Sequence, residues 1–195
     1  MARKKTITKD QILNAAYEIV ATEGFSKFTA RNIASKMKCS TQPIYLEFKN
    51  MDDLKESLFI KIETYLRDEI FGKEITGNPM IDMNLNYVKF ATEEKVLYRS
   101  LYLEGHSGDE MLNQFSHDLF MTNINQDPKL KDLDDEMKNA IFSGTWIVAT
   151  GVASLKSGGL INPTDDEIIH LINDVVSSVT SNTNNQILTT HINKK

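Results

Sequence analysis

Residues 29–50 read TARNIASKMKCSTQPIYLEFKN, and the way this stretch breaks in two decides the fold. Before the break, Ala30, Ile33, Ala34 and Met37 recur at i, i+3, i+4 and i+7, the period of a helix with one buried face, and Thr29 stands in front as a natural N-cap. Met37, Lys38 and Cys39 form a tight connection. Ser40 is then expected to cap a second helix with Pro43 at its third position, where the backbone N–H has no intrahelical acceptor and proline costs little. Ile44 and Phe48, one turn apart, can anchor this helix from below, leaving Thr41, Gln42, Tyr45 and Lys49 on its outer side. In water a lone helix shorter than about 12 residues is marginal, so neighbouring segments must hold its inner face.

Those neighbours can be read on both sides. Upstream, Thr8 caps a pattern of Ile12, Ala15, Ala16, Ile19 and Val20, which Gly24 closes by taking the left-handed conformation. Downstream, a helix from about Met51 to Phe71 aligns Leu54, Leu58, Ile62, Tyr65 and Leu66. Helical spacing continues through Pro79–Thr92, Glu94–Glu104 and Asp109–Asn125. The segment LDDEMKNAIFSGTWIVATGVASLKSGG places Met137, Ile141, Val148, Val152 and Leu155 on one face, and Phe142, Trp146, Ala149 and Ala153 on another. A helix so apolar must be covered nearly all round. A last helix from about Thr164 aligns Ile168, Leu171, Ile172, Val175, Val176 and Val179. Strand-like alternation is absent, so the expected class is all-α.

Composition narrows the function. A chain of 195 residues, 41% of them hydrophobic, can bury a core. Its one cysteine, Cys39, excludes an internal disulfide framework and a Cys-rich zinc site; a packing role suits it better than redox sensing. No apolar run approaches the roughly 20 residues of a membrane span, and the opening MARKKTITKDQ has no apolar segment after its basic residues, so the expected location is the cytoplasm. The net charge of −5 conceals an asymmetry. Residues 1–55 hold ten basic and six acidic side chains, a balance of +4, whereas the rest carries −9. Only the first part has the charge that binding to phosphates exploits.

Two short helices joined by a tight turn, the second opening with Ser, Thr and Gln, fit a helix-turn-helix. In that arrangement Gln42 can pair with adenine and Thr41 can hydrogen-bond a base or pack on a thymine methyl. Ser40, Pro43, Tyr45, Lys49, Arg31 and the N-terminus at Thr29 complete the expected interface with double-stranded DNA, several of them through phosphates.

The combined pattern, ILNAAYEIVATEGF, then Thr29 with Ile33-Ala34, then Ser40 with Ile44-Tyr45 and Phe48, then Leu54, resembles the tetracycline-repressor (TetR) family over residues 8–55. Three positions depart from the family: Lys38 where glycine is usual, Cys39 for valine, and Met51 for a lysine that touches phosphate. The resemblance implies a homodimeric, all-helical regulator, its DNA-binding domain at 1–55 and its helical effector-binding and dimerisation domain at 56–195. A repressor role, a pseudo-palindromic operator and an unidentified small-molecule effector are part of that expectation.

Within the second domain, Tyr65, Tyr87, Phe90, Tyr102, Phe120 and Trp146 are candidates to line an effector pocket. Gly144 and Gly151, seven apart on one helix, are expected with Ile168, Ile172, Val175 and Val179 to form a two-fold interface. His106, Asp109, Glu110, His117 and Asp118 lack tight ligand spacing, so neither a metal nor a cofactor is expected. Two alternatives remain: an effectorless structural or division-associated DNA-binding protein of the same fold, and an α-helical enzyme with a site near His106 and His117.

Overall fold

The computed structural model describes residues 7–105 and 109–181. Among them are nine α-helices and no strand. Helix α1 spans Lys9–Glu23, α2 Ala30–Lys36, α3 Gln42–Glu47, α4 Met51–Tyr65, α5 Pro79–Glu93, α6 Lys95–Tyr102, α7 Asp109–Ile124, α8 Asp135–Ser157 and α9 Asp165–Ser181. The described residues fall into two compact units: one drawn from Met1–Tyr65 and Val96–Leu112, the other from Leu66–Lys95 and Asn113–Lys195.

In the first unit the local signals act as written. A capping box starts α1, with Thr8 Oγ1 accepting from the Gln11 N–H at 3.3 Å and Gln11 Oε1 accepting from the Thr8 N–H at 3.2 Å. Ile12, Ala15, Ala16, Ile19 and Val20 are all buried. Gly24 ends the helix at φ 86°, ψ 169°, rather than in the left-handed helical cap expected from sequence. Glycine alone takes that extended, positive-φ conformation readily. A Cβ there would also lie 3.0 Å from Ser100 Oγ, so the turn is tight as well as unusual in dihedral.

Thr29 caps α2 by accepting from the Asn32 N–H at 3.2 Å. The helix closes in a Schellman motif: the Lys38 N–H donates to Ser35 O and the Cys39 N–H to Ala34 O, both at 3.0 Å. The motif requires a left-handed residue after the cap, and Lys38 supplies it at φ 54°. Asn50 and Asp53 start α4 reciprocally, Asn50 Oδ1 accepting from the Asp53 N–H and Asp53 Oδ2 from the Lys49 N–H. Leu54, Leu58, Phe59 and Ile62 bury the inner face of α4.

The α-helical part of this fourth helix ends at Tyr65, short of the expected Phe71; Leu66–Phe71 is π-helical. Gly72 shows how the chain tolerates this wider turn, since a Cβ there would stand 2.8 Å from the Arg67 carbonyl oxygen. Any larger residue would be pressed into the backbone it follows.

The second unit is built around α5, which is buried along nearly its whole length and packs on α8 and α9. Three polar residues are buried with it, Asp82, Asn84 and Asn86. Each is hydrogen-bonded, as burial demands. Asp82 accepts from the Ile75 N–H, the Thr76 N–H and the Thr76 hydroxyl at 3.1, 2.8 and 2.6 Å; Asn84 donates to Met80 O and Asn86 to Lys73 O. These bonds fix the 72–78 connection onto the helix. At α9, Thr164 and Glu167 form a capping pair, and the backbone and side-chain hydrogen bonds from Thr164 hold the Glu167 carboxyl below its ordinary range.

Two stripes read from sequence divide on folding. In α9 only Ile168 and Ile172 are buried, and Leu171 stays exposed. In α8 the Phe142 and Ala149 side is buried, while Ile147 is 50% and Leu155 43% exposed. The covering that an all-round apolar α8 requires is therefore incomplete among the described residues.

Candidate nucleic-acid interface

Helix α3 is held by its underside. Ile44 and Phe48 are buried, α1 packs against the helix, and the Lys9 ammonium lies 5.0 Å from the Phe48 ring centre. Full burial of two such side chains contributes roughly 3–6 kcal/mol, which explains how six residues stay helical. The start differs from expectation. Ser40 lies outside the helix, Thr41 occupies the cap position with helical dihedrals and no side-chain cap bond, and Pro43 is at the second helical position. The Schellman turn accounts for this, because the connection it directs leaves Thr41 already in a helical conformation. Proline remains acceptable there, still within the first turn.

The outer edge of α3 carries the residues read from sequence. Ser40, Thr41, Gln42, Tyr45 and Lys49 are exposed, and Pro43 is half-buried. Arg31 is exposed on α2, and Thr29 is exposed at its start with its hydroxyl engaged in the Asn32 cap. Met51 is half-buried at the start of α4. The sequence reading passed over Leu46, which is 76% exposed and lies one helical turn beyond Gln42. Its spacing from Gln42 was the available signal.

The aromatic candidates do not converge on one cavity. Tyr87, Phe120 and Trp146 meet Phe142, Asn84 and Thr145 around a space of only about 10 Å³, room for a single water. Their rings are in contact, with Tyr87–Trp146 centroids 5.1 Å apart and Phe120–Phe142 centroids 5.2 Å apart. Phe90 instead borders a groove of about 350 Å³ with Ile70, Lys73 and Asn86. Tyr65 and Tyr102 belong to the first unit, where they pack on Tyr17 and Tyr98.

The interface candidates also separate. A Cβ on Gly144 would lie 2.8 Å from Val175 and 3.9 Å from Val179, so this glycine permits close approach of α8 and α9 within the chain. Ile168 and Ile172 are buried in the same contact layer. Gly151 faces open space, in a row with exposed Ile147 and Leu155 at i, i+4 and i+8.

Among the described residues no three metal-ligating side chains gather. His106 and the Asp109 side chain lie outside the described residues. His117 stands 2.8 Å from Asn139 Oδ1, edge-on to Phe142. No helix among the described residues is long and apolar enough to cross a membrane.

Comparison with known proteins fits this geometry. A chain of the TetR family of transcriptional regulators from Vibrio parahaemolyticus matches with a TM-score of 0.59 at 17% identity, covering 86% of this chain and 96% of that one. A TetR-like transcriptional regulator from Rhodococcus sp. RHA1 matches with a TM-score of 0.54 at 18% identity, over 92% and 100% of the two chains. The fatty acid degradation regulator FadR from Bacillus halodurans gives 0.52 at 18% identity, over 93% and 99%. At such identities the likeness is one of fold. Comparison with curated proteins found no match. Residues 12–58, which run from within α1 through α2 and α3 into α4, match the family described as "Bacterial regulatory proteins, tetR family". The chain therefore carries a tetR-family helix-turn-helix at residues 12–58 and shares its helical fold with structures of TetR-family regulators.

Proposed function

We propose that the protein is a homodimeric, ligand-responsive repressor that reads a pseudo-palindromic operator, with no enzymatic role. The observation that carries the reading is α3 itself: anchored by Ile44 and Phe48 below, it leaves Thr41, Gln42, Tyr45 and Lys49 exposed in a segment of net positive charge. That is the form a reading helix needs, with base-directed groups at its N-terminal end and phosphate-directed groups beside them. Residues 1–55 supply the contact with DNA in this proposal, and residues 56–195 the effector response and the pairing of subunits.

Pairing is supported by the uncovered row Ile147, Gly151 and Leu155, with Leu171 exposed on α9. A two-fold axis brings such a row against its own copy, and the glycine admits close approach. Effector response requires unequal affinity for two arrangements of the protein. The Tyr87, Phe120 and Trp146 cluster suits an apolar or aromatic effector if its rings part.

The small space inside that cluster also favours a second reading, an effectorless DNA-binding protein of the same fold. Gel shift with genomic fragments at several salt concentrations tests both. Sequence-selective binding that weakens steeply with salt is expected. Equal affinity and specificity in a Gln42→Ala, Tyr45→Phe double variant would remove the proposed reading surface, and a screen of aromatic small molecules that leaves every complex intact would favour the effectorless form.

A further inference from the structure

α3 carries one aliphatic side chain, Leu46, that none of the described residues covers. Leu46 is 76% exposed, and Gln42 lies one turn before it on the same row. A solitary exposed leucine is ordinary on a protein surface; its position is what distinguishes this one. Around it Thr41, Gln42, Glu47 and Lys49 are exposed and polar, and the apolar bodies beside it are the Tyr45 ring, 52% exposed, and half-buried Pro43. A protein partner recognising this edge through apolar contact would need a patch of several hundred Å². One leucine set among amides, hydroxyls and charges does not provide it.

The major groove offers a counterpart of the right size. Among its donors and acceptors each thymine exposes a single apolar group, the C5-methyl. We propose that Leu46 is a specificity-determining residue that reads one thymine in each half-site through van der Waals contact with that methyl. The inference rests on the DNA-binding reading of α3. It adds an apolar contact to the hydrogen-bonding role of Gln42. At 1.5 Å of rise per residue, Leu46 lies about 6 Å beyond Gln42 along the helix. The thymine therefore falls within about two base-pair steps of the base that Gln42 contacts, given roughly 3.4 Å per step.

The test uses the full chain and a site recovered from a random DNA pool. Each thymine is replaced in turn by deoxyuridine, which removes only the C5-methyl, and affinities are measured for the parent, Leu46→Ala, Leu46→Met and Gln42→Ala. One replacement should weaken the parent about fourfold per half-site, the worth of one buried methyl group. Leu46→Ala should be insensitive at that position, while Leu46→Met, which keeps an apolar chain, should retain the sensitivity. The position should lie within about two base pairs of the one whose preference Gln42→Ala relaxes. A recovered site at which every replacement leaves the parent unchanged, or weakens parent and Leu46→Ala alike, overturns the role of Leu46 alone. A pool that yields no site overturns the DNA-binding reading and this inference with it.

Discussion

Lys38 holds a left-handed backbone at φ 54° in the turn between α2 and α3, and glycine there should be more stable than alanine. A side chain bearing Cβ in that conformation costs roughly 1–2 kcal/mol. Glycine removes the clash but gives the unfolded chain more freedom, which takes back about 0.4–1 kcal/mol. The backbone part of the change for Lys38→Gly is thus a gain of about 0.5–1 kcal/mol. Losing the lysine charge beside the C-terminus of α2 acts in the opposite direction by about 0.3–1 kcal/mol. Lys38→Ala is the necessary control, because it loses the same charge and keeps the strained dihedral. The difference between the two variants in urea unfolding isolates the backbone, and glycine should exceed alanine by about 0.5–1 kcal/mol. The Schellman hydrogen bonds from Lys38 and Cys39 are retained in both, so the orientation of α3 is unchanged. Equal stability of the two variants, or an alanine variant more stable than the glycine one, would refute the reasoning.

Three further outcomes follow from the second unit. Asp82→Ala strips acceptors from two backbone N–H groups and the Thr76 hydroxyl in a largely buried setting, and should destabilise by about 2–4 kcal/mol while exposing the 72–78 connection to proteolysis; a loss below 1 kcal/mol would show those bonds to be dispensable. Gly144→Ala gains about 1 kcal/mol of helix propensity but presses a Cβ against Val175, so a net loss of about 1–2 kcal/mol is expected, largely restored by a second change, Val175→Ala. A Gly144→Ala variant as stable as the parent would mean that α8 and α9 are not in such close contact. Ile147→Glu should leave folding intact, because the residue is half exposed, yet shift sedimentation from dimer to monomer at micromolar concentration and weaken operator binding at least tenfold. A parent protein that sediments as a monomer, or a variant that remains dimeric, would contradict the pairing surface.

The head was legible because its signals are local. Thr8 with Gln11, Thr29 with Asn32, and the apolar rows of α1 and α2 each act within one or two turns of chain. Lys38, the departure from the glycine usual in the resembled family, is the residue that takes positive φ. Where the reading slipped, the cause was competition between neighbouring motifs. Ser40 had the chemistry of a cap, but the Schellman turn before it shifted the helix start to Gln42; the apolar stripe of α4 carried no signal for the change to π geometry at Leu66.

In the body, periodicity found the helices without assigning their faces. The apolar sides of α8 and α9 look equivalent in sequence, yet Gly144 is packed by Val175 while Gly151 is open. Only the packing partner distinguishes them. The same limit applies to the aromatic residues: Tyr87 and Trp146 meet, whereas Tyr65 and Tyr102 lie in the other unit, and composition alone carries no such partition. Leu46 was overlooked for a different reason. Leucine is by type a core residue, and its place on the reading edge follows from its spacing from Gln42 and its exposure in the fold.

Selection of bound DNA from a random pool, followed by affinity measurement on the recovered site over a range of salt concentrations, tests the central claim most directly. The account predicts a two-fold symmetric site whose binding weakens steeply as salt rises and loses base preference in each half when Gln42 is replaced by alanine. A pool with no enriched sequence, or binding indifferent to both salt and Gln42, would contradict it.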